Sequence, residues 1–191
     1  MKKLFVLYFG LLLTTQAFSQ SVVNCVIETS LGKIEIELYP EKAPSTVSNF
    51  LKYVDANLYE NSSFYRVCTP ENEAEREVKI EVIQGGITDR SKALDAIQLE
   101  TTEVTGLTHE DGSLSMARTG QPHSATSHFF ICIGPQPELD FGGKRSADAQ
   151  GFAAFGKVTK GMDIVRKIQQ GENKRQRLTE AITILSIKRV K

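Results

Sequence analysis

Two neighbouring segments confine this chain to a β-architecture: 113–119, Ser-Leu-Ser-Met-Ala-Arg-Thr, and 124–133, Ser-Ala-Thr-Ser-His-Phe-Phe-Ile-Cys-Ile. They read as two strands joined by a loop of small and polar residues. Side chains of a strand alternate between its faces. His128 and Phe130 therefore share one face, and Phe129 and Ile131 share the other. The two adjacent phenylalanines cannot both serve one surface.

The same period recurs along the chain. Segments 22–29 and 33–38 alternate, are rich in Val and Ile, and flank Ser30-Leu31-Gly32, which predicts a hairpin. Further strands are expected at 64–69, 80–83, 113–118, 128–133, 152–158 and 181–190. Residues 88–111 are polar and rich in turn formers, and 134–150 reads as a long loop. Only two segments carry a helical period. In the first, Val47, Phe50, Leu51 and Val54 form one apolar stripe, with Pro44 in the first turn where its missing N–H costs nothing. The second, 162–170, has Met162, Val165 and Ile168 on one side and Gly171 as the expected C-cap. Many short strands with two helices argue for an antiparallel barrel or sandwich, and periodicity does not separate these.

The chain opens with Lys2-Lys3, an apolar run over 4–13, and the small-x-small triplet Ala17-Phe18-Ser19. That is the pattern of an export signal, with cleavage expected after Ser19 and residues 20–191 forming one domain. The run is too short to span ~30 Å of hydrocarbon, so no stable membrane association is expected after cleavage. Removing 1–19 takes two lysines and leaves 21 basic against 23 acidic residues. There is no basic excess for nucleic acid. Cys25, Cys68 and Cys132 are odd in number, so at least one thiol stays free; a Cys25–Cys68 bridge is left open. Their spacing marks neither a metal site nor redox chemistry. His109 and His123 show no spacing to a serine or carboxylate that would mark a hydrolytic triad.

Taken in order, Phe64-Tyr-Arg-Val67, Ile83-Gln-Gly-Gly86, 113–119, 128–133 and Phe152-Ala-Ala-Phe-Gly156 resemble the cyclophilin family of peptidyl-prolyl cis/trans isomerases, over about 26–190. The resemblance implies a mainly β fold: a closed eight-stranded antiparallel barrel capped by two α-helices. It implies an isomerase that takes proline-containing polypeptides and needs no cofactor; together with the export pattern of 1–19, a secreted, periplasmic and monomeric one is expected. Arg66 matches the catalytic arginine. Phe130 matches the floor of the proline pocket, with Val82, Leu139 and Phe152 around it. Gln84 matches the glutamine that contacts substrate backbone and orients the arginine. Ala117, Arg118 and Thr119 match the segment whose backbone binds the residues before proline, and His128 stands where the family has a glutamine. Without the resemblance, Arg66 reads as a solvated strand arginine and Phe130 as ordinary core.

Four departures from the family pattern stand out. Glu81-Val82 replaces Phe-Met, so Glu81 removes an aromatic wall; it either turns outward or shifts the strand. His128 replaces the glutamine. Glu138 replaces a tryptophan that binds cyclosporin in many members, which implies weak inhibition. About ten extra residues lie between Arg66 and Gln84, with Glu71, Glu73, Glu75 and Glu77 among them, and are expected to extend a hairpin beside the groove. The altered pocket motivates an alternative: a proline-peptide-binding chaperone with little turnover.

Overall fold

The computed structural model describes residues 21–190. The export signal expected over 1–19 lies outside the described residues. Among the described residues nine strands form one sheet, in the order β1-β2-β7-β5-β6-β4-β3-β9-β8, and β1 also pairs with β9. That second pairing closes eight strands into an antiparallel barrel and leaves β8 as a short appendage of β9.

The chain enters with β1 (Val23–Thr29) and β2 (Gly32–Leu38), the expected hairpin, with every second residue buried. Helix α1 (Pro44–Asp55) follows the end of β2, with Pro44 in its first turn and Val47, Phe50, Leu51 and Val54 all buried. No side chain of its own caps it. Glu100, from the long polar segment, reaches back instead: its carboxylate accepts the N–H groups of Ser45 at 3.0 Å and Thr46 at 2.8 Å. A carboxylate there answers both the orphan donors and the positive end of the helix dipole.

Strands β3 (Ser62–Cys68) and β4 (Val82–Gly86) pair next. The segment between them is not the expected hairpin extension; it is a run of turns without strand pairing. After β4 the chain makes a short helix, α2 (Thr102–Thr105), which the polar composition of that region concealed. Then come β5 (Ser113–Met116), β6 (Phe129–Cys132) and β7 (Ala153–Lys160). Helix α3 (Met162–Gln169) ends on Gln170 in a right-handed conformation, so Gly171 does not act as a left-handed cap. Gly171 packs closely: a Cβ there would sit 2.7 Å from Leu178 Cδ2 and 3.1 Å from the Ile168 carbonyl oxygen.

The last expected strand begins four residues early. β8 (Asn173–Lys174) and β9 (Arg177–Arg189) form a tight hairpin through Arg175 and Gln176. Both turn residues hold positive φ, 51° and 74°. Such turns usually declare themselves by Asn or Gly, and neither is present.

Two apolar clusters divide the molecule. The large one fills the barrel, with Phe64, Phe129, Ile131 and Phe155 fully buried and α1 and α3 contributing their apolar faces. Because α1 follows one end of β2 while α3 abuts Gly32 at the other, the helices plug opposite mouths. The small cluster lies outside the wall: Cys68, Ile80, Val82, Phe130, Cys132 and Leu139, with Ala117 and Phe152 against them. Phe129 and Phe130 thus face opposite sides, as their alternation requires. All three cysteines are free and buried. Burial pushes the Cys25 and Cys68 thiols up to about 11, so they behave as small core residues.

Candidate active site: an arginine beside an apolar groove

Strand register builds the site. Arg66 pairs with Gln84, Gln84 with Phe130, and Phe130 with Ser115, so one row crosses β3, β4, β6 and β5. Neighbouring strands lie ~4.8 Å apart, so Arg66 and Phe130 stand roughly 10 Å apart with Gln84 between them. The next row brings Val82 between Cys68 and Cys132. Above the rows lies a groove of about 490 Å³, lined by Arg66, Val82, Gln84, Ala117, Arg118, Thr119, Phe130, Leu139 and Phe152 among others. His128 lies off this groove, in an adjoining depression with Gln84, Ala117, Ser124 and Thr126.

A register shift lies between Phe64 and Arg66. A bulge of this kind re-aims side chains. Phe64 and Val67 enter the barrel, while Tyr65 and Arg66, adjacent in sequence, both reach Gln84. Strict alternation hid Tyr65. Gln84 accepts from Arg66 Nη1 at 2.7 Å through Oε1 and donates from Nε2 to the Tyr65 hydroxyl at 2.9 Å. The hydroxyl in turn lies 3.0 Å from His128 Nδ1. Burial lowers the His128 pKa below its ordinary 6.5, against a smaller upward pull from the backbone of Gly85. The diglycine that ends β4 is needed for close approach: a Cβ on Gly86 would meet His128 Cα at 2.8 Å.

The apolar part of the groove is Phe130, Leu139, Val82 and Phe152, joined by Ile80, which the sequence reading passed over. Phe152 meets Phe130 edge to face, with centroids 5.6 Å apart. The Arg118 guanidinium carbon sits 5.1 Å from the centre of the Phe152 ring. Its nitrogens donate to the Gly151 carbonyl at 2.8 Å and to Asp148 at 2.7 Å. The hydrogen bond from Arg118 holds the Asp148 carboxyl down to about 2. The charge of Arg118 is therefore spent inside the wall. Among the described residues, the backbone N–H and C=O of Arg118 take no backbone partner, so both are open to a second chain.

Glu81 turns off the groove. Its Oε2 accepts from Gln169 Nε2 of α3 at 3.2 Å, and it lines a separate depression with residues 69–72, 169–171 and 173. The flanking Ile80 and Val82 keep the groove face apolar.

The floor has its own support. His109 stacks under Phe130 at 5.9 Å and 17°. Its Nδ1 lies 2.6 Å from Asp140 and its Nε2 lies 2.9 Å from Ser115 Oγ. Topology thus assembles a Ser–His–Asp chain that the spacing did not announce. Ser115 is 0 % exposed and His109 1 %, so no carbonyl reaches the hydroxyl, and the chain props the ring rather than attacking a substrate. His123 is exposed and accepts from the Leu99 N–H at 3.1 Å.

Three further groups belong to the site and were not singled out from the sequence: Arg76 and Arg145, which line the groove, and Gln176, which accepts two hydrogen bonds from Arg66. Gln176 arrives from a hairpin 110 residues away, and no local pattern points to it.

The family described as cyclophilin type peptidyl-prolyl cis-trans isomerase/CLD matches residues 24–189. A peptidyl-prolyl cis-trans isomerase of Acinetobacter baylyi is 38% identical over 170 residues, covering 88% of this chain and 82% of that protein. Peptidyl-prolyl cis-trans isomerase B of Escherichia coli is 36% identical over 143 residues, covering 74% and 80%. A crystal structure of a Cryptosporidium parvum cyclophilin type isomerase in the presence of the dipeptide Ala-Pro superposes with a TM-score of 0.70 at 23% identity, over 88% of this chain and 99% of that one.

Proposed function

The chain belongs to the cyclophilin-type peptidyl-prolyl cis-trans isomerase family, and from that premise we propose that its groove accelerates rotation about X–Pro bonds in exported unfolded or flexible polypeptides. Rotation about a peptide C–N bond faces ~18–20 kcal/mol because resonance must be broken. The two isomers of an X–Pro bond differ little in energy yet exchange over tens to hundreds of seconds. Such a reaction calls for no covalent step. It calls for stabilising the twisted amide more than either planar form.

The supporting observation is a tethered guanidinium beside an apolar notch. Three of the five N–H donors of Arg66 are engaged, one by Gln84 and two by Gln176, which leaves two for a substrate. A donor aimed at the prolyl nitrogen favours its pyramidal form and weakens conjugation, an interaction that gains strength as the bond twists. Phe130, Leu139, Val82 and Phe152 hold the pyrrolidine ring. The free backbone groups of Arg118, with Ala117 and Thr119, hold the residues before it. Gln84 steers the arginine and meets the substrate backbone, and His128 supports Gln84 through Tyr65. No metal or cofactor takes part.

The pattern of 1–19 supports export and cleavage after Ser19, leaving the enzyme in the periplasm. Intact mass of the exported protein tests the cut, and retention of 1–19 overturns it. Turnover is tested on a protein whose refolding is limited by proline isomerisation. The wild type should speed the slow phase, and Arg66→Ala should lose at least about tenfold of that effect. If the wild type binds proline peptides yet leaves the slow phase unchanged, the groove is a binding site and not a catalytic one.

A further inference from the structure

The turns over 70–79 bury a carboxylate behind the arginine. Glu73 is 1 % exposed. A buried charge persists only when fully paired, and this one is: it accepts from the Ile80 N–H at 2.8 Å, from Arg145 through both Nη groups, and from Gln176 Nε2 at 2.9 Å. Burial pushes its carboxyl up, but the hydrogen bonds from Arg145 and Ile80 overcome this and hold it below the usual carboxylate value. An ionised carboxylate only accepts, so the amide of Gln176 must turn its NH₂ toward Glu73. Its Oε1 then faces Arg66 and accepts Nε–H at 3.0 Å and Nη2–H at 2.6 Å. The backbone of Gln176 is tied to the same strand, its carbonyl accepting from the Val67 N–H at 2.8 Å. Gln176 keeps this place at φ 74°, a conformation that costs a side-chain-bearing residue energy and persists only where its surroundings over-determine it.

We infer that Glu73 and Gln176 are positioning residues for Arg66: the buried carboxylate orients the amide, and the amide fixes the guanidinium toward the groove without touching it with a negative charge. A carboxylate placed directly on Arg66 would offset the cation that the twisted amide needs. A neutral amide between them transmits orientation alone, and Arg145 balances the charge of Glu73. The segment that distinguishes this chain from the family pattern thereby becomes part of the catalytic support. This rests on the reading of Arg66 given above.

The experiment uses the full domain and a proline tetrapeptide. Gln176→Ala should lower kcat/KM about tenfold while the peptide Kd changes by less than about twofold. Gln176→Glu sets two carboxylates against each other and should fall as far. Glu73→Gln with Gln176→Glu restores a complementary pair and with it the tether, but it sets a carboxylate on the guanidinium, so kcat/KM should stay at least about fivefold below wild type. In ¹⁵N spectra the Arg66 Nε–H signal should be sharp and slow to exchange in the wild type and the double variant, and lost in Gln176→Ala. Should Glu73→Gln not fold alone, Gln176→Ala, in a half-buried turn, still decides. Gln176→Ala within about twofold of wild-type kcat/KM, or a double variant with wild-type kcat/KM, overturns the inference. A wild type without turnover sinks the isomerase reading instead, and the Arg66 signal then reports the tether independently.

Discussion

At the residue scale, neighbours in sequence hold different tasks because a strand has two sides. Phe129 is 0 % exposed inside the barrel and Phe130 is 4 % exposed in the groove. Phe129→Ala should cost about 3–5 kcal/mol in urea unfolding, the usual penalty for hollowing an aromatic core. Phe130→Ala should cost less stability and more than about tenfold in kcat/KM, since the lost ring is the pocket floor. His128 carries a pH dependence whose sign follows from its environment. Its folded pKa is lowered below 6.5, so between those values the unfolded chain binds more protons. The stability it contributes is complete above 6.5 and is lost as pH falls through the folded value. His128→Gln should keep a partner for Tyr65 and flatten the melting temperature on the acid side, measured calorimetrically between about pH 5 and 8. An unchanged acid limb would move the effect to another group.

At the element scale, the secondary structure depends on distant partners at its weakest points. Helix α1 begins without a side-chain cap of its own, and Glu100 supplies one from 55 residues away. Glu100→Ala should therefore destabilise the domain by about 1–2 kcal/mol in chemical denaturation, with no change in kcat/KM. The β8–β9 hairpin turns on Arg175 and Gln176, both at positive φ, where sequence preference would place Asn-Gly. Local propensity is overridden there, and the same turn delivers Gln176 to Arg66.

At the scale of the whole molecule, closure of β1 on β9 removes two sheet edges and leaves a barrel whose wall is apolar on both sides along β4 and β6. The inner cluster and the groove cluster share strands but not side chains. That separation lets the inner core carry stability while the outer face is remodelled, as it is by the segment over 70–79. Deleting residues 71–77 removes Glu73 and leaves the half-buried Arg145 without its carboxylate. The expected outcome is a folded barrel with lowered turnover and altered preference across a panel of X–Pro peptides. Unchanged rates across the panel would make the segment ornamental.

Periodicity was enough to find the hairpin of β1 and β2, the apolar face of α1, and the opposed faces of Phe129 and Phe130, because each is a property of neighbours along the chain. The motif order added the closed barrel and nine of the sixteen residues that line the groove. Other features belong to the tertiary structure alone. The bulge that turns Tyr65 to the side of Arg66, the outward swing of Glu81 onto Gln169, the Ser115–His109–Asp140 support under Phe130 and the tether from Glu73 through Gln176 all join residues far apart in sequence or out of period. Alternation specifies which side of a strand a residue takes. Which buried charge meets which amide is decided by the long-range pairing of β3 with β9, which sets the β8–β9 hairpin beside Arg66.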